Sequence, residues 1–175
     1  MDWNLNLFLK INKLVGQNKW LDAFGKAGGE LMIFFSGAWF FVSVFLEFYP
    51  HRQAIFLPIA FLGLSWFLGL GISQLIGLLV AEKRPKAEHG EINELFSPIS
   101  RWKAFPSDHT LAAFLFFFIA LVFSLPFAWV LFIFALWIAW GRVYGGVHYP
   151  LDVVGGFLLA GLMGVGAWYI YLLVF

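Results

Sequence analysis

Nine polar residues in two short segments carry the chemistry open to this sequence. Lys83, Arg84, Lys86, Ser107, Asp108 and His109 lie in the segment 81–109, and Arg142, His148 and Asp152 lie in 141–152. Lys83-Arg84-Pro85 offers two cations. Pro106-Ser107-Asp108-His109 precedes an apolar run, where Ser107 or Asp108 could cap a helix. A helix start presents free N–H groups and the positive end of a dipole, which suits an anion. Arg142 adds a planar fork of donors that matches phosphate oxygens. The set reads as an oxyanion cage, phosphate first among its ligands. His148 and Asp152 are four apart and share one side of a helix or helix start. A carboxylate on one ring nitrogen fixes the tautomer and raises the nucleophilicity of the other. His109, on the other segment, is placed to protonate a leaving oxygen.

Taken singly, the same residues have plainer uses. Lys83 and Arg84 would anchor a helix end at lipid headgroups. Ser107 and Asp108 would form only an N-cap, Arg142 would reach for the interface, and His148–Asp152 would be a structural hydrogen bond. A non-catalytic anion-binding or transport protein could use them in that way. His51 and His89 have no such company and read as solvated loop residues.

The elements that must position these groups follow from composition. Of 175 residues, 62% are hydrophobic, 12% charged and 21% aromatic. A soluble domain is nearer about 45–50% apolar and about 25% charged. A globule this small cannot bury that much apolar surface, so the chain is expected to be an integral membrane protein. The net charge of +1 argues against a nucleic-acid partner, and the lack of cysteine excludes disulfides and thiolate chemistry. Met1 to Asn6 lacks the basic start of a signal peptide, so no cleaved leader is expected.

Five apolar runs are long enough to consider as spans: Leu31 to Phe48, Ala54 to Val80, Thr110 to Phe123, Phe127 to Trp140 and Val153 to Phe175. The expected fold is all-α, a helical membrane bundle of about five spans formed by residues 1–175 as one domain. Leu7, Phe8, Ile11, Leu14 and Val15 fall on one face of an amino-terminal helix. That helix lies in the interface plane or caps the bundle. Ser65, Gly69, Ser73 and Gly77, and also Gly156, Ala160 and Gly164, recur every four residues and read as packing stripes. The third and fourth runs form a hairpin, so the segments 81–109 and 141–152 emerge on the same face. The chemistry is therefore gathered at one end of the bundle.

Arg84-Pro85, then Pro106-Ser107-Asp108-His109, then Arg142 with His148 and Asp152 behind it, resembles the three-part signature of the type 2 phosphatidic acid phosphatases. That superfamily also includes vanadium-dependent haloperoxidases. The PSDHT and RVYGGVHYPLD wording is most similar to the bacitracin-resistance type of undecaprenyl-pyrophosphate phosphatase. The resemblance implies His148 as nucleophile, a phosphohistidine intermediate, Asp152 as its orienting group and His109 as general acid. It implies a phosphate held by Arg84, Ser107, Arg142 and the backbone near Asp108 and His109, with no metal and no cofactor. Undecaprenyl pyrophosphate is the implied substrate, with a lipid A phosphate or phosphatidylglycerol phosphate as alternatives of the same chemistry. The loop Lys86–Phe105, with Glu88, Glu91, Glu94, Arg101, Trp102 and Lys103, is where headgroup choice is expected.

Two positions depart from the pattern. Gly77 stands where the first motif has a lysine, so Lys83 or Lys86 is expected to supply that cation. Gly141 stands where the third motif has a serine. Larger members are implied to have six spans. Orientation divides the signals. Ten of the 11 basic residues lie on the site face, all but Arg52, and the positive-inside rule places such a face in the cytoplasm. The resemblance implies the extracytoplasmic face of a bacterial inner membrane, and that is the expectation taken forward.

Overall fold

A computed structural model describes residues 3–49, 52–98 and 101–175, without the side chains of Arg52 and Gln53. His51 lies outside the described residues. The all-helical expectation holds, with eight α-helices and no strand among the described residues. They are α1 (Trp3–Asn12), α2 (Lys19–Lys26), α3 (Met32–Phe48), α4 (Phe56–Val80), α5 (Pro85–His89), α6 (Asp108–Val122), α7 (Ala128–Tyr144) and α8 (Pro150–Val174).

Each expected apolar run is a helix, but the boundaries differ. The first begins at Lys19 rather than Leu31, because α2 continues into α3 through a π turn at Ala27–Leu31. Lys19–Phe48, Phe56–His89 and Pro150–Val174 are long and apolar enough to cross a membrane, whereas α6 and α7 have only 15 and 17 residues. The turn between the short pair stops both helices. Ser124 and Phe127 adopt positive φ on either side of Pro126, and neither conformation continues a right-handed helix.

Helix α6 is the centre. It packs against α3, α4, α7 and α8, and Leu111, Leu115 and Ile119 are fully buried. The two small-residue stripes make this approach possible: every member of both is buried. A Cβ at Gly156 would lie 2.6 Å from the Ser107 carbonyl oxygen, so α8 meets the start of α6 backbone to backbone. The outer faces carry exposed Phe34, Phe35, Phe67, Leu79, Trp129, Leu158 and Leu162. Water would penalise that surface, and hydrocarbon would not.

Helix α1 caps the bundle, by a different face from the one its hydropathy suggests. Asn4, Phe8 and Asn12 are the buried residues, one turn apart, while Leu7 and Leu14 are exposed. The Asn4 side chain accepts from the Leu151 N–H at 3.0 Å, and Asn12 exchanges two bonds with the Asn93 backbone, at 2.8 and 3.0 Å. The amides satisfy loop and helix-start backbone that apolar side chains could not. The cap thereby pins both site-bearing segments.

Candidate active site

The turn between α7 and α8 delivers the nucleophile candidate. Gly146 takes φ +79° there, a left-handed conformation that costs a glycine little. His148 follows, and Asp152 is the third residue of α8. One Asp152 carboxylate oxygen accepts the Tyr149 N–H at 2.8 Å and stands 3.2 Å from His148 Nδ1. The other ring nitrogen, Nε2, lies 3.2 Å from Arg84 Nη1, which also donates to the Val147 carbonyl at 2.8 Å. A guanidinium has only donors, so Nε2 must present a lone pair and Nδ1 must carry the proton toward Asp152. The i,i+4 spacing thus places the two groups as expected and fixes the tautomer.

His148 is buried, and its pKa lies well below the ordinary value. Burial is the main cause, with the charges of Arg142 and Arg84 next. The ring is therefore neutral where a free histidine is half charged, at about 6.5. A neutral imidazole is the form with a lone pair free to act as a nucleophile.

Arg142 occupies the last turn of α7. Its Nη1 donates to the Gly29 carbonyl at 2.9 Å, and the guanidinium stacks over the Phe96 ring at 5.2 Å. Gly29 belongs to the π turn, whose wider bonding pattern releases carbonyls from the α-helical ladder. Gly141 explains itself in the same place. A Cβ there would lie 2.4 Å from Gly29 N, so the serine of the usual pattern has no room. The Nε groups of both Arg84 and Arg142 are buried without a hydrogen-bond partner among the described residues.

At the start of α6, Ser107 occupies the N-cap position, but its side chain makes no capping bond. Its hydroxyl instead accepts from Thr110 Oγ1 at 3.1 Å, and its N–H donates to the Asp152 carbonyl at 2.9 Å. Asp108 does not cap either. Its carboxylate turns to α4, toward Ser73, Gln74 at 3.3 Å and Lys103 at 2.8 Å. An uncapped helix start keeps its first N–H groups available to an anion. His109 lines a cavity of about 340 Å³ with Arg142, Ile33, Phe34 and Phe96.

Other expectations need correction. Lys83 is exposed, while Arg84 after it is half-buried with an extended backbone. Arg84 points in. Lys86 pairs with Glu94 at 3.3 Å. Glu88 accepts from Tyr149 Oη at 2.9 Å, so part of the supposed headgroup loop is tied internally. Lys103, assigned to that loop, is only 3% exposed and bonds Ser73 Oγ at 2.8 Å, the Pro106 carbonyl at 2.9 Å and Asp108. Ser73 and Gly77 thus do more than pack. The signal for Lys103 was the glycine at the first-motif position, which leaves space a side chain from elsewhere can fill. His89 is exposed at the end of α5, against the edge of Tyr149.

Fold and site together define a helical bundle with a cation-lined cage and a His–Asp pair at one end. Residues 58–174, which hold Arg84, His109, Arg142, His148 and Asp152, match the PAP2 superfamily, and the chain belongs to it. It is a membrane protein. It is 36% identical over 107 residues to undecaprenyl-diphosphatase BcrC of Bacillus subtilis (strain 168), across 61% of this chain and 54% of the relative. It is 39% identical over 104 residues to the putative undecaprenyl-diphosphatase YbjG of Escherichia coli (strain K12), across 55% and 48%. The chain spans about half the length of the curated relatives it matches. The crystal structure of Aquifex aeolicus LpxE shares its fold, with a TM-score of 0.73 and 24% identity over 97% of this chain and 96% of that one. So does a PAP2 type phosphatidylglycerolphosphate phosphatase from Bacillus subtilis, at 0.60 and 20% over 98% and 96%.

Proposed function

We propose that this chain is a membrane lipid phosphatase that works through a phosphohistidine, with undecaprenyl pyrophosphate as its substrate. The observation that carries the reading is the state of His148: a neutral ring, Nδ1–H held by Asp152, and the Nε2 lone pair facing Arg84. Arg84, Arg142 and the open start of α6 hold the phosphate oxygens. Nε2 attacks phosphorus, the bond to the leaving oxygen breaks, and His109, charged by the phosphate anion bound beside it, gives that oxygen its proton. Water then attacks the phosphohistidine, losing its proton to His109. Inorganic phosphate leaves and Nε2 is restored. Charge stabilisation by fixed cations and amides is the main source of rate.

The lipid tail has a matching path. An apolar cavity of about 390 Å³, lined by Ile33, Phe41, Leu62, Trp66, Ala112 and Phe116, shares Ile33 with the cage cavity. Ala112 and Phe116 lie one and two turns beyond His109 on α6. The choice of an undecaprenyl diphosphate rests on the named activities of the two curated relatives.

The test is phosphate release by the purified chain, with chelator present, from prenyl diphosphates, lipid A 1-phosphate and phosphatidylglycerophosphate. Fastest turnover of the prenyl diphosphate is expected, with inhibition by vanadate, which mimics the trigonal transition state. Preference for either other lipid would reassign the substrate. Binding of phosphate without turnover of any lipid would favour the anion-binding alternative. We place the site on the extracytoplasmic face of the bacterial inner membrane, as the family resemblance implies; burial of Arg142 and Lys103 in the site removes only two of the ten basic residues from the count that opposes it. Labelling of Glu91→Cys by an impermeant reagent in intact cells reads the face; protection until lysis would reverse it.

A further inference from the structure

We propose that Lys103 is a positioning residue for the cage: laid across Gly77 of α4, it holds Asp108 aside and keeps the start of α6 open to phosphate. The inference rests on the phosphatase reading and concerns how its anion site is kept free.

Asp108 is the first residue of α6, directly after the N-cap Ser107, where the positive end of the helix dipole attracts a carboxylate. A carboxylate turned onto the first helix N–H groups would put an internal anion where the substrate anion must bind. In this structure the Asp108 carboxylate is drawn to α4 by Lys103, Ser73 and Gln74. Lys103 is the charged member of that set. It uses all three of its donors, on Ser73 Oγ, the Pro106 carbonyl and Asp108. The Pro106 bond fixes the approach to α6 just ahead of Ser107 and His109. Burying an ammonium is costly unless it is paired, and removing one partner of such a pair exposes the full cost. Lys103 is therefore not a solvated loop residue with a chance contact.

Its route depends on Gly77. A Cβ at position 77 would lie 2.4 Å from Lys103 Cδ and 3.0 Å from the Trp102 ring. A side chain at 77 and the Lys103 stem cannot share that space. By the same token, a lysine built at 77 would start along the path that Lys103 now follows. Gly77 is the position at which the first motif usually carries its lysine, and neither Lys83 nor Lys86 comes there. One cation has two possible backbone origins, and this chain uses the loop.

The experiment uses the purified full chain, with lipid-phosphate release, the vanadate inhibition constant and thermal midpoint measured together. Lys103→Met keeps an apolar stem over Gly77 and removes the charge. It is expected to lower kcat about 100-fold and to weaken vanadate by a similar factor. Adding Asp108→Asn, which discharges the competing carboxylate, is expected to recover at least tenfold of the vanadate affinity. A merely structural lysine would not give that recovery, and its absence overturns the proposal. Moving the lysine, as Gly77→Lys with Lys103→Ala, is expected to return activity to within tenfold of the parent. If Lys103→Met fails to fold, this transposed chain decides, and an inactive or unfolded product counts against the idea. Retained activity in a folded Lys103→Met chain sinks this inference alone. A parent that hydrolyses none of the lipids sinks the phosphatase reading instead.

Discussion

His148→Ala is expected to abolish turnover, lowering kcat by about 10⁴-fold or more, while the protein stays folded. Removal of a sole nucleophile costs on this scale because the second step has no intermediate to consume. The remaining cage would still bind phosphate, so vanadate affinity should fall far less than rate. Acid-stable controls aside, the direct readout is a brief reaction with labelled lipid phosphate followed by alkaline quench, which preserves phosphohistidine. The parent should carry label and the variant none. Turnover in His148→Ala within tenfold of the parent would end the nucleophile assignment. A stability readout comes from the same residue. His148 is held below its ordinary pKa by burial and by Arg142 and Arg84. Below about pH 6.5 the unfolded chain binds a proton there that the folded chain does not, so stability falls as pH falls. The thermal midpoint of the parent should drop between pH 7 and 5, and the variant's should drop less.

Arg142→Lys is expected to cost about 10²- to 10³-fold in kcat/KM, despite preserving charge. The guanidinium does three things at once: it donates to the Gly29 carbonyl, stacks on Phe96 and keeps Nε available within the site. A lysine has a single donor centre and no plane to stack. If it holds Gly29 it leaves phosphate, and if it reaches phosphate it leaves a buried carbonyl unpaired. Vanadate inhibition should weaken alongside rate. A variant that loses thermal stability but less than tenfold in kcat/KM would show that Arg142 is only the anchor of the π turn.

Much of this arrangement was legible in the residues. The five apolar runs follow from hydropathy, which reports directly on the lipid-facing surface. The His148–Asp152 pair follows from a four-residue spacing, a local property. What was not legible depends on contacts between distant segments. Helix α7 runs on past Trp140 to Tyr144, and Arg142 in that extra turn finds a carbonyl on the π turn; nothing near residue 142 announces that partner. Arg84 and Lys83 look equivalent until the fold brings Arg84 to His148 and leaves Lys83 exposed. Lys103 is a charged residue in a charged loop, and only the missing Cβ at Gly77 shows where its stem can lie. The polar face of α1 was hidden for the opposite reason: Leu7 and Leu14 draw attention, while Asn4 and Asn12 make the docking bonds.

Helix α6 has 15 residues, about 22 Å of rise, some 8 Å short of a hydrocarbon core of about 30 Å. A central helix of that length cannot reach both headgroup levels as its longer neighbours can. Under the proposed reading, with the cage at the amino end of this helix, the count of helical turns sets how deep a lipid phosphate sinks to meet His148. A deeper site holds less water, so that each fixed cation acts through a weaker dielectric.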